Sequence, residues 1–423
     1  MSIQYLKRAP KTAATDESSV RDVVKAILDD VRSGGEARAR AYAKKFDGWD
    51  REIIVSRADI DAATAQLSEQ EKQDIQTAHQ RVKRFAQAQR DSMHDFEYVE
   101  DGVTLGHRNI PMNTAGCYVP GGRYAHIASA IMSVTTAKVA GVKHIVACSP
   151  GKAGVGVHPS ILYTLDLCGA DTILALGGVQ GVAAMAFGLF TGHTADILVG
   201  PGNAYVSEAK RMLFGEVGID LFAGPTESAI IADDSADSFI VATDLVSQAE
   251  HGINSPVWLF TTSERVAKEV LDLMPQLIDK LPPSPKQAAT AAWRDYGEVI
   301  LCDTREETAA VSNRYGSEHL QVIADDLDWW HDNLTSYGSL FLGEETTVTY
   351  GDKISGPNHI LPTKNAARYT GGLNVAKFIK TLTYQKMTRE ASLALGPVAA
   401  RISRAEGMEA HARSADVRIE KYG

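Results

Sequence analysis

The sequence predicts an α/β protein built from two incomplete Rossmann-like, doubly wound domains, with a helical N-terminal region and a small C-terminal helical domain. The main observation is a set of short apolar runs, rich in β-branched residues, that alternate with segments long enough for a helix. The runs begin at His144, Thr172 and Asp196 in a first series, and at Ser228, Pro256, Gly297, His319 and Gly338 in a second. Alternation of this kind is typical of parallel sheets covered by helices, and the two series indicate two such sheets.

The chain flanking these series has a helical pattern. From about Asp16 to Met93 it is charged and rich in Ala and Gln, with apolar positions at helical spacing, and Gly34 and Gly35 predict a helix stop. After Lys364 the sequence again becomes charged and helical in pattern. We therefore expect a helical N-terminal region and a helical tail.

Composition favours a small-molecule enzyme. The chain has 423 residues, of which 44% are hydrophobic and 23% charged, and a formal net charge of -10. An acidic chain is a poor partner for nucleic acid phosphates or an anionic membrane surface. The four cysteines show no CxxC spacing, and neither a signal-peptide pattern nor a membrane-length apolar run is visible. These features predict a cytoplasmic protein that binds neither nucleic acid nor membrane.

Three glycine-containing loops follow predicted strands of the first series. They are VPGG (119–122), LGGVQG (176–181) and VGPGNAYVSEAK (199–210). Glycines at the carboxyl ends of parallel strands let the backbone approach a phosphate, although ordinary turns use them equally well. None is the GxGxxG fingerprint. Tyr118, Gln180 and Asn203 are the polar side chains that such loops would present to a nucleotide, or they are simple loop hydrogen-bonders.

A second group of residues offers nitrogen and oxygen donors for a metal ion. Gln248 and His251 lie three residues apart in a helical pattern, which predicts that both project from one helix face. Asp352 lies in a predicted Gly- and Pro-rich loop after a strand, as does His359, and the tail supplies His411. Such donors suit zinc. Spacing alone does not establish that they converge, and each could be an ordinary polar residue.

Glu318 and His319 are adjacent at the start of a predicted strand. At a strand end both side chains can reach one cleft, where histidine can take a proton from an alcohol and a desolvated glutamate can activate water. The alternative is a solvated turn glutamate beside a packed histidine.

Eight motifs in order make the chain resemble the histidinol dehydrogenase family from about Asp16 to its end. They are CYVPGG, GGVQGVAAMAFG, VGPGNAYVSEAKR, AGPTES, DLVSQAEHG, YGSEHL, GDKISGPNHILPT and EGMEAH. The resemblance implies two successive oxidations, from alcohol through aldehyde to carboxylate, with two NAD molecules and a zinc ion that anchors the substrate.

The resemblance also implies a role for individual residues. Gln248, His251, Asp352 and His411 match the family's zinc ligands, Glu318 and His319 its catalytic pair, Tyr118, Gln180 and Asn203 its NAD contacts, and Thr226, His359 and Glu406 its substrate pocket. His411 is expected from the partner subunit of a homodimer with shared active sites. Thr226 replaces the usual serine and keeps its hydroxyl.

The implied domain organisation has four parts. They are an N-terminal arm (1–22), a larger α/β domain (23–117 with 228–365), a nucleotide-binding domain (118–227) and a dimer-exchanging C-terminal segment (366–423).

Departures from the family pattern concern the substrate. Arg123 and His126 follow the PGG motif, where the family is small and apolar, and Lys353 replaces an aromatic residue. Cationic donors would favour an anionic substrate such as a sulfonate. The stretches IPMNTAGCYVPGGRY and TKNAARYTGGLNVAKFIKTL resemble the sulfopropanediol dehydrogenase branch, which oxidises 2,3-dihydroxypropane-1-sulfonate to 3-sulfolactate. The alternatives are oxidation of L-histidinol to L-histidine, with these three residues in surface ion pairs, and a relative that has lost catalysis.

Overall fold

The computed structural model describes residues 3–11, 17–121, 125–222 and 224–423, with the side chains of residues 17 and 18 left out. The chain divides into two compact units. The first contains Met1–Gln89 and Met112–Phe378, and the second contains Arg90–Pro111 and Ile379–Gly423. Among the described residues, no helix has the length and apolar character needed to cross a bilayer. All four cysteines are buried and free.

The elements alternate as an α/β protein requires. The strands are β1 (Gln4–Lys7), β2 (Phe96–Glu100), β3 (Val103–Pro111), β4 (Thr114–Tyr118), β5 (His144–Ser149), β6 (Thr172–Ala175), β7 (Ile197–Val199), β8 (Gly218–Ile219), β9 (Ser228–Ala232), β10 (Val257–Thr261), β11 (Glu298–Leu301), β12 (His319–Ile323), β13 (Ser339–Leu342) and β14 (Ile379–Met387). The α-helices are α1 (Glu17–Asp47), α2 (Arg57–Thr64), α3 (Glu69–Asp91), α4 (Ile127–Ala130), α5 (Thr136–Ala140), α6 (Pro159–Cys168), α7 (Gly178–Ala186), α8 (Ala204–Leu213), α9 (Ser238–Ala249), α10 (Glu264–Asp279), α11 (Pro283–Tyr296), α12 (Arg305–Tyr315), α13 (Leu327–Asn333), α14 (Val348–Lys353), α15 (Arg389–Ala405) and α16 (Glu409–Tyr422). A π-helical turn (Ile131–Thr135) joins α4 to α5, and two 3₁₀ turns (Ala366–Arg368 and Val375–Phe378) precede β14.

The first unit contains two parallel sheets with the same winding. One sheet has the order β6-β5-β4-β7-β8, and the other has β11-β10-β9-β12-β13 with β1 added antiparallel beside β11. In each sheet the first three strands in sequence lie side by side in one direction. The fourth strand pairs with the free side of the first, so that β7 lies beside β4 and β12 beside β9. That is the doubly wound order of a Rossmann fold without its sixth strand, so the predicted fold class is confirmed.

Side chains of β9 alternate between two buried cores, one on each face of its sheet. Ile230 and Ala232 pack with α9, α10 and α11, whereas Ala229 and Ile231 pack with α12 and α13. Strands buried on both faces have continuous apolar sequences, which is why the eight apolar runs predicted strands correctly.

Helix α1 folds back on itself at Gly35, as the predicted helix stop required. Gly35 has φ 57 and ψ -145, outside the helical region and accessible mainly to glycine. Across the turn, the Tyr42 hydroxyl donates a hydrogen bond to Asp30 at 2.8 Å. The two halves of α1 therefore lie side by side.

The second unit consists of an antiparallel sheet in the order β14-β3-β2, together with helices α15 and α16. The tail was predicted to be helical, and the pattern missed the nine-residue strand β14. Its side chains after Lys380 are exposed, so the strand carries no run of buried apolar residues.

Two predicted local positions differ in the structure. His251 lies in a turn after α9, because that helix ends at Ala249, although the His251 amide still donates to the Gln248 carbonyl at 3.3 Å. Asp352 lies in α14 and not in a loop, since the Gly- and Pro-rich pattern begins only beyond this short helix. Both residues nevertheless line the same cavity.

A buried ion pair fixes the loop after β7. Lys210 and Asp220 pair at 2.5 Å, and they bond the Gly200 carbonyl and amide respectively, each at 2.8 Å. Gly200 has φ 115, and a Cβ there would lie 2.0 Å from the Tyr118 carbonyl oxygen. Only glycine fits, and the loop is held rigidly against β4.

Glu227 connects the starts of β9 and β12. Its amide donates to the Glu318 carboxylate at 3.1 Å, and its carbonyl accepts from the His319 amide at 3.1 Å. Its own carboxylate accepts from the Lys364 amide at 2.9 Å. Burial raises the pKa of Glu227 to about 7, because desolvation outweighs that hydrogen bond.

The raised pKa of Glu227 predicts a pH-dependent stability. Between pH 4.5 and about 7 the folded chain keeps a proton that the unfolded chain releases, so the free energy of unfolding falls as pH rises. Across this pH window, the free energy of unfolding of the wild type should fall by up to about 3 kcal/mol relative to that of Glu227→Gln. Urea unfolding at several pH values measures the difference. Glu69→Gln, at a 91% exposed side chain, is the control. A difference that stays constant with pH would contradict the prediction.

Candidate active site

A cavity of about 830 Å³ lies in the first unit, where the loops after β4, β5, β6 and β7 meet the loops that precede β9 and β12. The carboxyl edge of the five-stranded sheet therefore faces the amino edge of the six-stranded sheet. The gap between β4 and β7 is the switch point of the winding, the place where parallel sheets bind ligands.

The three predicted nucleotide contacts line the side of the cavity formed by the five-stranded sheet. Tyr118 ends β4, and its hydroxyl accepts a hydrogen bond from the Gly178 amide at 3.0 Å. Gln180 is buried in the first turn of α7, and its Oε1 has no hydrogen-bond partner among the described residues. Asn203 caps α8 by accepting from the Tyr205 and Val206 amides. Asn203 thus has a structural role whether or not it also contacts a ligand.

Glu318 and His319 lie side by side on the opposite wall and both are buried. The His319 Nδ1 is 3.9 Å from a Glu318 carboxylate oxygen, and its Nε2 is 3.5 Å from an Asp352 oxygen. Neither ring nitrogen makes a hydrogen bond with a described residue. The imidazole is therefore held by packing while both nitrogens remain available.

Burial is the largest cause of the pKa shifts of the histidines and of Glu318 on this wall. Desolvation lowers the pKa of His319 to about 4, although the Asp352 carboxylate opposes the shift. Desolvation also lowers the pKa of His251 and of His359. The pKa of Glu318 is raised well above its usual value, first by desolvation and further by the nearby Glu227 and Asp352 carboxylates. At neutral pH the three imidazoles are unprotonated, the form that can accept a proton or bind a metal.

The donors of the first unit fit a zinc ion. His251 and Asp352 line the cavity, and Gln248 is buried one turn before His251 with an Oε1 that accepts no hydrogen bond from a described residue. A buried, unpaired amide oxygen is costly unless something binds it. In the described part of the chain, His, Cys, Asp and Glu alone form no group of three that could hold a metal. The ligand set implied by the sequence resemblance is of another kind, because it would include the Gln248 amide and a histidine from a partner subunit.

His126, Thr226 and His359 also line the cavity, together with the exposed side chain of Lys353. His359 is oriented by the Asp352 carbonyl oxygen, 2.9 Å from its Nδ1, and its Nε2 lies 3.3 Å from the Ser129 hydroxyl. Burial lowers the pKa of His126, and the positive charge of Lys353 lowers it further. His126 is thus a neutral hydrogen-bond donor, whereas Lys353 supplies charge at this end of the cavity.

The remaining predicted residues are Glu406, His411 and Arg123. Glu406 and His411 belong to the second unit, Glu406 at the end of α15 and His411 in α16, and both are exposed. Arg123 lies outside the described residues. The other predicted residues all lie in the first unit, at or beside this cavity.

Two carboxylates of this region were missed by sequence reasoning. Asp47 lines the cavity, and the Glu227 backbone binds the Glu318 carboxylate and the His319 amide. Glu227 could have been identified from the sequence, since it follows Thr226 in the AGPTES motif. Asp47 carried no signal, because a charged residue at the end of an amphipathic helix is ordinary surface composition.

Comparison with known proteins supports an enzyme of one family. The chain is 60% identical to a "histidinol dehydrogenase homolog" of Pelagibacter ubique, covering 100% of this chain and 99% of the relative. It is 59% identical to the sulfopropanediol 3-dehydrogenase of Ruegeria pomeroyi, covering 100% and 97%. The crystal structure of histidinol dehydrogenase from Elizabethkingia anophelis matches with a TM-score of 0.91 at 34% identity, covering 98% and 94%.

The histidinol dehydrogenase family profile matches residues 10–419, nearly the whole chain. The match spans both sheets of the first unit and the helices of the second. This protein is therefore an oxidoreductase that belongs to the histidinol dehydrogenase family.

Proposed function

We propose that this enzyme uses NAD and zinc to oxidise the primary alcohol of 2,3-dihydroxypropane-1-sulfonate, through the aldehyde, to the carboxylate of 3-sulfolactate. The observation that carries the proposal is that one cavity is lined by the Glu-His pair, by the candidate zinc donors His251 and Asp352, and by the candidate nucleotide contacts. A hydride transfer needs these groups within one enclosed space.

Residues on the two walls would hold the two cofactors. Tyr118, Gln180 and Asn203 would contact NAD, and Gln248, His251, Asp352 and the partner subunit's His411 would ligate zinc. When bound, NAD accepts a hydride in each oxidation and zinc holds and polarises the substrate oxygens. Thr226, His359 and Glu406 would complete the substrate pocket, Glu406 through the same partner.

In the proposed reaction His319 takes the proton of the substrate hydroxyl as the carbon loses hydride. Its buried imidazole is unprotonated at neutral pH and makes no hydrogen bond with a described residue, so its nitrogens can accept a proton. Glu318 then takes a proton from the water that adds to the aldehyde carbon, and a second hydride leaves the hydrate. Its raised pKa makes the ionised carboxylate a stronger base than an exposed glutamate.

The atoms balance over the two steps. One primary alcohol, one water and two NAD give one carboxylate, two NADH and three protons. His319 passes its proton to solvent between the two steps, Glu318 does so after the second, and the carboxylic acid that forms releases the third proton.

Charge at the cavity supports a sulfonate as substrate. Lys353 supplies a positive charge, and His126 supplies an N–H donor beside it. A sulfonate accepts such hydrogen bonds and carries the opposite charge, whereas the ammonium of histidinol would be repelled. The relative named sulfopropanediol 3-dehydrogenase is also more similar, at 59% identity, than the structure titled histidinol dehydrogenase, at 34%.

Oxidation of L-histidinol to L-histidine is the second candidate function, because the family carries that name. It requires the same Glu-His pair and the same metal donors. The two functions therefore differ only in the groups that bind the part of the substrate away from the reacting alcohol. A non-catalytic relative is the weakest reading, since the full set of catalytic and metal-donor residues is retained.

We also propose a cytoplasmic homodimer with shared active sites. The second unit carries large apolar side chains open to solvent, among them Val99 at 65% and Ile402 at 56% exposure. Such surfaces usually mark an interface, and this unit bears Glu406 and His411. The four free, buried cysteines suit a reducing compartment.

The substrate assignment predicts a selective activity. Purified enzyme with zinc and NAD should form NADH with 2,3-dihydroxypropane-1-sulfonate, at two NADH per substrate, and much more slowly with L-histidinol. Absorbance at the NADH band with limiting substrate measures both rate and stoichiometry. Efficient oxidation of histidinol alone would overturn the assignment.

The base role predicts the effect of His319→Asn. Loss of the imidazole should lower kcat by about 10²- to 10⁴-fold, while zinc content stays at the wild-type level because His319 is not a proposed ligand. Metal analysis and NADH formation give the two readouts. His331→Asn, at an exposed histidine, is the matched control. Undiminished turnover in the His319 variant would refute the role.

The sulfonate contact predicts the effect of His126→Ala. Removing one N–H donor to an anion should raise KM for the sulfonate by about tenfold, with little change in KM for histidinol. Steady-state kinetics on both substrates, with His331→Ala as control, measure the change in selectivity. An equal rise in KM for both substrates would indicate a general packing effect and would contradict a contact between His126 and the sulfonate.

A further inference from the structure

We infer that Asp47 selects NAD over NADP, by accepting hydrogen bonds from the 2′- and 3′-hydroxyls of the adenosine ribose and repelling a 2′-phosphate. The inference rests on the proposed use of a nicotinamide dinucleotide. It adds a specificity residue from α1, outside the loops of the nucleotide-binding sheet.

The five-stranded sheet lacks the acidic residue that its winding predicts. In a Rossmann fold the ribose is bound by an Asp or Glu at the end of the second strand, next to the first. Here the first strand is β4 and the second is β5, which ends at Ser149 and continues with Pro150, Gly151 and Lys152. No carboxylate follows β5 at that point.

Asp47 brings a carboxylate to the same place from another element. It is the last residue of α1, which packs on α7. A Cβ placed on Gly177 would lie 2.7 Å from Pro150 and 3.4 Å from an Asp47 carboxylate oxygen, so both groups surround Gly177. Asp47 also lines the cavity together with Tyr118 and Gln180.

The Asp47 carboxylate has no compensating cation among the described residues. It ends a helix, where the helix dipole disfavours a negative charge. Lys44 pairs with Asp50 at 3.9 Å, and Lys45 lies over the ring of Phe46. The side-chain partner of the carboxylate is the Gln180 amide, at 3.4 Å. Burial raises the pKa of Asp47, which agrees with a carboxylate that is partly desolvated and not paired with a charge.

An apolar surface for the adenine lies beside this carboxylate. The paired halves of α1 present Val23, Ile27 and Phe46 to the cavity, next to Pro150. Val23 is 46% and Phe46 is 52% exposed, which leaves apolar area for a flat ring to cover. A ribose diol next to that ring would meet the Asp47 oxygens, whereas a 2′-phosphate would bring a charge of about -2 against them.

The test is direct binding of NADH and NADPH to the zinc-loaded enzyme without substrate, followed by nicotinamide fluorescence. The wild type should bind NADH at least about tenfold more tightly than NADPH. Asp47→Asn keeps the shape and the Gln180 contact but removes the charge, and it should reduce the preference to about twofold or less. Asp50→Asn removes a charge three residues away and should leave the preference unchanged.

A second measurement needs no variant. Calorimetry with ADP-ribose and with its 2′-phosphate should show the same preference in the wild type. Equal affinity for the two ligands, or an Asp47→Asn preference equal to that of the wild type, would overturn the role of Asp47 while leaving NAD use intact. Binding of neither NADH nor NADPH would instead defeat the proposed function, and the inference with it.

Discussion

The parallel pairing of β9 with β12 is the constraint on which the site depends. In this register His319 lies opposite Ser228, so the residues just before the two strands are neighbours at one sheet edge. The Glu227 backbone then binds both the Glu318 carboxylate and the His319 amide. The Glu227 backbone thus fixes the Glu318 carboxylate and the main chain at His319, while packing holds the buried His319 imidazole.

Two sheets of identical winding meet here by opposite edges. The five-stranded sheet offers its carboxyl edge, where loops and helix N-termini suit a nucleotide. The six-stranded sheet offers its amino edge, where the strand starts supply buried ionisable groups. In the proposed function, one edge would bind the cofactor and the other would carry the chemistry. Enclosure between the two edges desolvates both His319 and Glu318, which lowers the pKa of His319 and raises that of Glu318.

Much of the fold could be predicted because strands buried on both faces leave continuous apolar runs, as in β5 and β9. Strand β14 could not, since its exposed side chains give no such run. The motifs led to Glu318 and His319 and to the candidate donors Gln248, His251 and Asp352. Asp47 lies more than a hundred residues from Gln180 in sequence, and only the packing of α1 on α7 brings them together. Arrangements that need a second chain, such as a ligand from the partner subunit, leave no periodic pattern at all.

We propose that the metal donors, the Glu-His pair and the nucleotide-binding wall converge on one centre. Diffraction from a crystal of the zinc-loaded enzyme, recorded at the zinc absorption edge, tests this directly. We expect one anomalous peak per active site, surrounded by Gln248, His251, Asp352 and His411 of the partner subunit, with His319 facing the same cavity. A peak elsewhere, or a zinc ion with none of these residues around it, would contradict the account.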